Sequence, residues 1–423
     1  MFERFGSLAA AAPGLPAIVE ATTGRVVSRA MLLSRALELA ADVRSGQLVA
    51  VQLPNSAEFV ALTLAILKQR AIAVLIDRDA SDAEVARIRS HFGERPSLPP
   101  ETRVIKLTSG SSGKPKGILT TEENLLADCQ QICSTMGIAA DDVNFGAIPL
   151  SHSYGFSNLV TPLIVQGTPI VISNDYLPET IVDACNRYRC TVLPGIPMMF
   201  DHLASSEVRG FATVRTFISA GAPLPPATSR KFRERFVSPI HSFYGCSECG
   251  GITYDRAGAA TERGSVGSAM DGVTISLRDS RLVVRSKSVA LGYWQESSFA
   301  PFASGEFTTD DLAEVRSDEV ALIGRASELI NAAGKKINPR EIEHVILQID
   351  GVRQVKVYGE PAGARGEVVA AAIVASEDVT REQVRAFCRE RLSLHKVPRI
   401  VKLIERIPVD ERGKIRRSAL AAL

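Results

Sequence analysis

Over the first quarter of the chain, short apolar runs alternate with stretches of helical periodicity, and this alternation confines the fold more than any other feature. The spacing predicts a helix over Met31–Ala41, where Leu32, Leu33, Ala36, Leu37 and Leu39 gather on one side. A short strand over Leu48–Leu53, a helix over Phe59–Arg70 and a buried strand over Ile72–Ile76 follow. Strands and helices taken in turn build parallel sheet with covering helices, because each helix must lay its apolar stripe on a sheet face. Further strands are predicted at Arg103–Thr108, Pro169–Ser173, Cys190–Pro194, Thr216–Ser219 and Pro239–Phe243. Ligands of open α/β sheets collect beyond the carboxyl ends of strands, so chemistry is sought in the loops after these runs.

From about Ser265 the pattern shortens to β-like runs such as Thr274–Leu277 and Leu282–Arg285. A polar connection after Gly324 leads into a tail with its own periodicity: helix Pro339–Gln348, strands Gln354–Tyr358 and Val368–Val374, helix Arg381–Leu392. The boundary falls between Gly324 and Ile330. The predicted class is α/β, with a large N-terminal domain of parallel-type sheets and helices (residues 1–327) that includes a β-rich subdomain. A small α+β domain (residues 328–423) completes the chain.

At 423 residues the chain can bury a large core without staples. Its seven cysteines, odd in number and thinly spread, fit the reduced thiols of a cytoplasmic protein. Cys246 and Cys249 form one CxxC; without a second pair or a nearby His it reads as small residues packing a crowded loop rather than zinc or a redox dithiol. A net charge of +2 gives no global attraction to nucleic acid. No apolar run reaches the roughly 18–20 residues of a membrane span. The longest candidate, Leu159–Ser173, is interrupted by Pro162, Gln166, Gly167 and Pro169. Leu8–Val19 is faintly signal-like, but it holds Pro13 and Pro16, follows Glu3 and Arg4, and runs into patterned sequence. It is read as folded protein.

The sharpest segment is Thr108-Ser-Gly-Ser-Ser-Gly-Lys-Pro-Lys-Gly117. Glycines let backbone N–H groups approach oxygens, hydroxyls donate hydrogen bonds and lysines add charge, a set suited to a polyphosphate. It is not a Walker A loop, because Gly110-Ser-Ser-Gly113-Lys114 lacks the four-residue spacer and the hydroxyl residue after the lysine. A strand precedes it, and Thr120 with Glu123 predicts a capping box for the following helix, whose apolar face includes Leu125, Leu126, Cys129, Ile132, Cys133 and Met136.

These ten residues resemble the phosphate-loop signature of the adenylate-forming enzymes: acyl- and aryl-CoA ligases, peptide-synthetase adenylation domains and firefly luciferase. Six further segments resemble that family's motifs in the expected order. Pro149–Gly155 resembles the acid-pocket motif, and Ser219–Leu224 the segment packed on adenine. Phe243–Glu248 resembles aromatic-Tyr-Gly-x-Thr-Glu with Ser247 in place of Thr, and Thr309–Asp311 stands where the family has Thr-Gly-Asp. Gly324–Glu343 resembles the ribose and hinge segment, and Pro408–Arg417 the C-terminal lysine motif.

The resemblance implies an acid–thiol ligase using ATP, Mg²⁺ and coenzyme A, or the phosphopantetheine of an acyl-carrier protein. A carboxylic acid attacks the α-phosphorus of ATP, pyrophosphate leaves, and a thiol then displaces AMP from the acyl-adenylate. By the same resemblance Thr108, Ser109, Gly110, Ser111, Ser112, Gly113 and Lys116 hold phosphates. Tyr244 stacks on adenine beside Gly221, Ala222 and Gly245. Ser247 bonds the α-phosphate, Glu248 holds Mg²⁺, and Asp311 and Arg325 hold the ribose. Lys414 is the adenylation lysine, His152 and Tyr154 line the acid pocket, and Glu328, Gly334 and Lys335 belong to the hinge and thiol tunnel of a mobile C-terminal lid. Leu150–Ser153 offers no acidic partner for an ammonium, which tilts the acid toward a fatty or aryl one. Asp310 replaces the family glycine and Glu328 the usual hinge aspartate. Between Arg391 and Arg417, nine Lys/Arg face three Asp/Glu, a basic stripe that an acidic carrier protein could meet. Only 107 residues precede Thr108, so the chain's shortness relative to the family falls in the N-terminal subdomain. A different class, a non-catalytic acyl or nucleotide sensor, is opposed by intact Lys414, Glu248 and Lys116.

Overall fold

The computed structural model describes residues 1–92, 98–109, 115–294, 300–332, 335–361 and 367–408. The chain divides into two compact units: Met1–Ser276 with Val283–Thr308 and Val315–Ala321, and Leu277–Leu282 with Thr309–Glu314 and Leu322–Leu423.

The first unit holds two sheets. In one, Pro16–Glu20, Ile170–Ile172, Asn144–Gly146, Val192–Gly195, Thr216–Ser219 and Ile240–Cys246 lie side by side in that order, all parallel. Gly250–Tyr254 then pairs antiparallel with Ile240–Cys246. In the other, Leu48–Val51, Ile72–Leu75 and Thr102–Ser109 are parallel, and Pro115–Thr121 and Gly292–Tyr293 join antiparallel. The expected parallel character therefore holds where helices intervene and gives way where consecutive strands are joined by short turns, including Pro16–Glu20 with Val26–Ser28 at the edge of the first sheet. Residues 110–114 are too few for the dozen or so that a parallel crossover requires, so the chain turns back as a hairpin.

That hairpin corrects two expectations. A strand, Pro115–Thr121, stands between the Gly/Ser loop and the next helix. The capping box of helix Glu122–Met136 is Thr121 with Asn124, not Thr120 with Glu123. Thr120 pairs with Val104 in the ladder and Thr121, the last residue of the strand, with Thr102; the helix starts directly after Thr121, whose hydroxyl accepts from the Asn124 N–H.

Ser28 and Ser56 cap helices Arg29–Ala40 and Ala57–Lys68 by accepting from the N–H of Met31 and Phe59. With helix Phe2–Ala11 these helices enclose a core of Phe5, Leu32, Phe59, Leu64, Val104, Phe156 and Leu163. Each such side chain contributes roughly 1.5–3 kcal/mol on burial. The signal-like stretch is accordingly built into the fold: Ala9 is buried, and Ile18 and Val19 sit in the sheet. A second core packs Phe200, Phe217 and Phe232 edge to face.

In the second unit Glu367–Ala375 is the central strand, antiparallel to Val352–Pro361 and parallel to Ile400–Leu403. Helices Pro339–Ile346 and Arg381–Arg391, capped by Asn338 and Thr380, cover it over Ile342, Ile346, Val357, Ile373 and Val384. This is the small α+β tail that the periodicity predicts. Among the described residues no helix is long and apolar enough to cross a membrane.

Candidate active site

In each sheet of the first unit, a strand at a parallel-to-antiparallel switch carries the motif with the most chemistry. The first is Thr102–Ser109, which leads into the Gly/Ser loop; residues 110–114 (Gly110, Ser111, Ser112, Gly113 and Lys114) lie outside the described residues. Its ladder sets Thr108 opposite Lys116 and Ser109 opposite Pro115, so the two ends of the loop are held as neighbouring strands. Gly117 permits this packing. A Cβ there would lie 3.1 Å from both Ile105 and Trp294.

The second is Ile240–Cys246. Its register slips between Tyr244 and Gly245, a bulge of the kind that re-aims side chains beside a site. At Gly245 a Cβ would meet the Gly250 carbonyl oxygen at 2.4 Å, so only glycine allows the hairpin to close this tightly. The turn is held from below by Asp128, a buried carboxylate on helix Glu122–Met136. Asp128 accepts from the Gly251 N–H at 2.9 Å and from the Ser157 hydroxyl at 2.5 Å.

Two contacts at this turn set the chemistry. The Ser247 and Ser153 hydroxyls share a hydrogen bond of 2.6 Å, which joins the aromatic-Tyr-Gly segment to Pro149–Gly155. The Tyr293 phenol donates to Glu248 Oε1 at 2.9 Å, and the Lys116 ammonium sits 4.5 Å from the centre of the Tyr293 ring. No ion pair reaches Glu248 among the described residues. Lys106, two residues before Thr108 on the same strand, is buried; burial pushes its pKa down, and the charges of Asp128, Cys246 and Glu248 offset that only in part.

Tyr154 is half-buried, donates to the Ile218 carbonyl at 3.0 Å and packs at a tilt on Phe243, with ring centres 5.8 Å apart. Burial pushes its phenol well up, so it stays protonated. His152 is more exposed and meets Asp77 at 3.0 Å. Just after Gly155 the helix widens into a π-helical turn over Phe156–Val160, a device common at functional sites. Gly221 has φ +84°, a conformation that favours glycine, and Ala222 beside it is exposed.

In the second unit, Asp311 pairs with Arg325 Nε at 3.1 Å. Asp310 accepts from the Ser327 N–H at 3.1 Å and from the Ser327 hydroxyl. Glu328 lies 3.8 Å from Lys356, whose ammonium also meets Glu343 at 3.0 Å. Lys335 begins the strand Lys335–Ile337 and is exposed. Gly334 and Lys414 lie outside the described residues. Cys249 is buried, and a hydrogen bond with Cys249 followed by burial drives the Cys246 thiol well above its ordinary value. No cluster of three metal-ligating side chains occurs among the described residues.

A lone carboxylate suits Mg²⁺, which keeps several waters and binds through one or two carboxylates together with substrate phosphates. Glu248, held by a neutral donor on one oxygen, matches that donor set. The sequence reading passed over Tyr293, Asp128, Ser153 and Lys106. Only the adjacent aromatic residues Tyr293 and Trp294 after Gly292 offer a local signal.

A large domain of mixed sheets with motif-bearing turns at two sheet switches, and a small α+β one, define an α/β architecture whose strand-end turns carry the chemistry. Residues 8–95 and 91–294 match the AMP-binding enzyme model and residues 341–414 its C-terminal domain model, so the chain belongs to the AMP-binding enzyme family. It is 27% identical over 395 residues to feruloyl-CoA synthase of an Amycolatopsis species, covering 88% of this chain and 78% of that one. Over 485 residues it is 25% identical to the long-chain fatty acid–CoA ligase FadD13 of Mycobacterium tuberculosis, covering 97% and 96%. Its fold matches the o-succinylbenzoate CoA synthetase of Bacillus subtilis in complex with ATP and magnesium, with a TM-score of 0.86 at 23% identity over 99% of this chain and 98% of the other.

Proposed function

We propose that the protein activates a non-amino, fatty or aryl carboxylic acid with ATP and transfers the acyl group to coenzyme A. The observation that carries this reading is the 2.6 Å contact between Ser153 and Ser247. It joins the segment assigned to the acid with the segment assigned to the α-phosphate, the two groups that must meet for carboxylate attack on phosphorus. Positioning and charge neutralisation dominate such chemistry, and no protein nucleophile is required. Thr108, Ser109, Lys116 and residues 110–113 are assigned to the phosphates, Tyr244, Gly221, Ala222 and Gly245 to adenine, and Asp311 and Arg325 to the ribose. His152 and Tyr154 are assigned to the acid, and Glu328, Gly334 and Lys335 to the thiol step. Glu248 would hold Mg²⁺, whose contribution is to neutralise phosphate charge. Lys414 would bridge the carboxylate and the α-phosphate and stabilise the charge that develops between them.

Residues 1–327 would form the adenylation domain and 328–423 a lid, in a cytoplasmic protein. Coenzyme A is preferred over a carrier protein because the relatives are CoA ligases by name. ATP–pyrophosphate exchange over a panel of fatty and aryl acids, followed by thioester formation with coenzyme A, tests the reading. Exchange with at least one acid is expected. Lys414→Ala is expected to abolish it while leaving transfer from a preformed acyl-adenylate largely intact. A folded wild-type protein that exchanges with none of the acids sinks the proposal.

A further inference from the structure

The chain between Ser288 and Trp294 stitches the two motif-bearing turns together. The Ser288 hydroxyl donates to the Cys249 carbonyl at 2.7 Å, and the Ala290 N–H donates to the Glu248 carbonyl at 2.8 Å. On its other side the Leu291 N–H donates to Leu119 and the Trp294 N–H to Gly117. Within this segment Tyr293 touches a charged side chain of each turn, Lys116 and Glu248. Opposite it in the ladder stands Ile118, so Lys116 is its diagonal neighbour on the same sheet face, within reach of a long side chain.

The ammonium and the carboxylate both meet Tyr293, and no ion pair joins Lys116 to Glu248 among the described residues. The ring takes the cation on its negative face, 4.5 Å from its centre, and the phenol O–H takes the carboxylate at 2.9 Å. Edge contact with Phe302, at 5.0 Å between ring centres, fixes the ring between them.

We propose that Tyr293 is a positioning residue for adenylation: it holds Lys116 on its ring and Glu248 on its hydroxyl, so that neither neutralises the other. The carboxylate then stays open to the divalent cation and the ammonium to the phosphates. The proposal rests on the ATP-dependent reading above, and the sequence motifs alone assign no role to this tyrosine.

Calorimetric titration of the full chain with ATP, with and without MgCl₂ and with no acid present, separates the two halves of the device. Tyr293→Phe keeps the ring and the Phe302 contact but loses the hydroxyl. ATP affinity without metal is expected to match wild type, while the Mg²⁺ concentration giving half of the metal-dependent gain rises about tenfold, the effect of losing a partner of a metal ligand. Tyr293→Leu is expected to lower metal-free ATP affinity as well, by about threefold, as Lys116 loses its seat. In a Glu248→Gln background, Tyr293→Phe is expected to change nothing further, an outcome that general loosening of the fold would not produce. Wild-type Mg²⁺ dependence in Tyr293→Phe, or unaltered metal-free affinity in Tyr293→Leu, overturns the inference while leaving the enzyme reading in place. A wild-type protein that binds no ATP overturns both.

Discussion

Glu248 and the Asp310–Asp311 pair are acidic groups in motifs of one reaction, and the protein treats them in opposite ways. Glu248 receives one neutral phenol hydrogen bond and no ion pair among the described residues. Asp311 is matched to a guanidinium at 3.1 Å, and Asp310 is occupied by the N–H and hydroxyl of Ser327. A carboxylate held by a neutral donor keeps its charge for an incoming cation. One answered by its own chain is a structural tie, or must share its partner with a ligand. The charge that Asp310 adds beside the ribose motif is therefore spent on the turn Ala326–Glu328.

The contrast can be broken most sharply at Glu248. Glu248→Gln keeps an oxygen to accept from Tyr293 but removes the charge. Pyrophosphate exchange is expected to fall by about a hundredfold or more, with thermal stability unchanged, because the loss is of charge stabilisation at the reacting phosphates. Exchange retained within tenfold would mean that Glu248 is as structural as Asp310.

How much of this could be read from the sequence follows from the distance over which each signal acts. Thr108–Gly117 and Phe243–Glu248 announce themselves because glycine, hydroxyl and charge stand within ten residues. The helices Arg29–Ala40 and Ala57–Lys68 are legible as apolar stretches, but each starts two residues before the expected Met31 and Phe59, where a serine cap rather than the apolar pattern sets the end. The strand Pro115–Thr121 was hidden: it opens with proline, carries Gly117 and lacks alternation, and only its pairing with Thr102–Ser109 makes it a strand. That missed strand also displaced the cap by one residue, since the strand runs through both Thr120 and Thr121 and the helix starts only at Glu122. Tyr293 and Asp128 reach the Glu248 turn from 45 and 123 residues away, Tyr293 to Glu248 and Asp128 to Gly251, through sheet register and helix packing that no local pattern encodes.

The ground beneath Glu248 gives a second, smaller test. Lys106 is buried there, and its depressed pKa means that the unfolded chain holds the proton more tightly than the folded one. Stability from this group is therefore lowest while the folded lysine is charged, rises with pH through its folded value and levels off above the unfolded one, roughly 10.4. Lys106→Met is expected to stabilise the protein at neutral pH by on the order of 1 kcal/mol, as replacements of buried charge often do. The gap should close as the pH approaches that of free lysine. Melting temperatures of the two proteins between pH 7 and 10 check this. A gap that stays constant would show that the lysine charge bears no cost there, and that the field of Asp128 and Glu248 fully compensates its burial.

The other side of the comparison carries the smallest effect. If Asp310 serves only to tie down the Ala326–Glu328 turn, Asp310→Ala should cost about 0.5–1 kcal/mol in chemical denaturation, as the loss of a cap does. Asp310→Asn, whose amide oxygen can still accept from the Ser327 N–H, should recover most of it. Pyrophosphate exchange should follow neither change, because the carboxylate is turned to Ser327. Exchange that rises in both variants while stability stays fixed would place the Asp310 charge at the nucleotide after all. The two acidic sites would then differ in strength of coupling to the reaction rather than in kind.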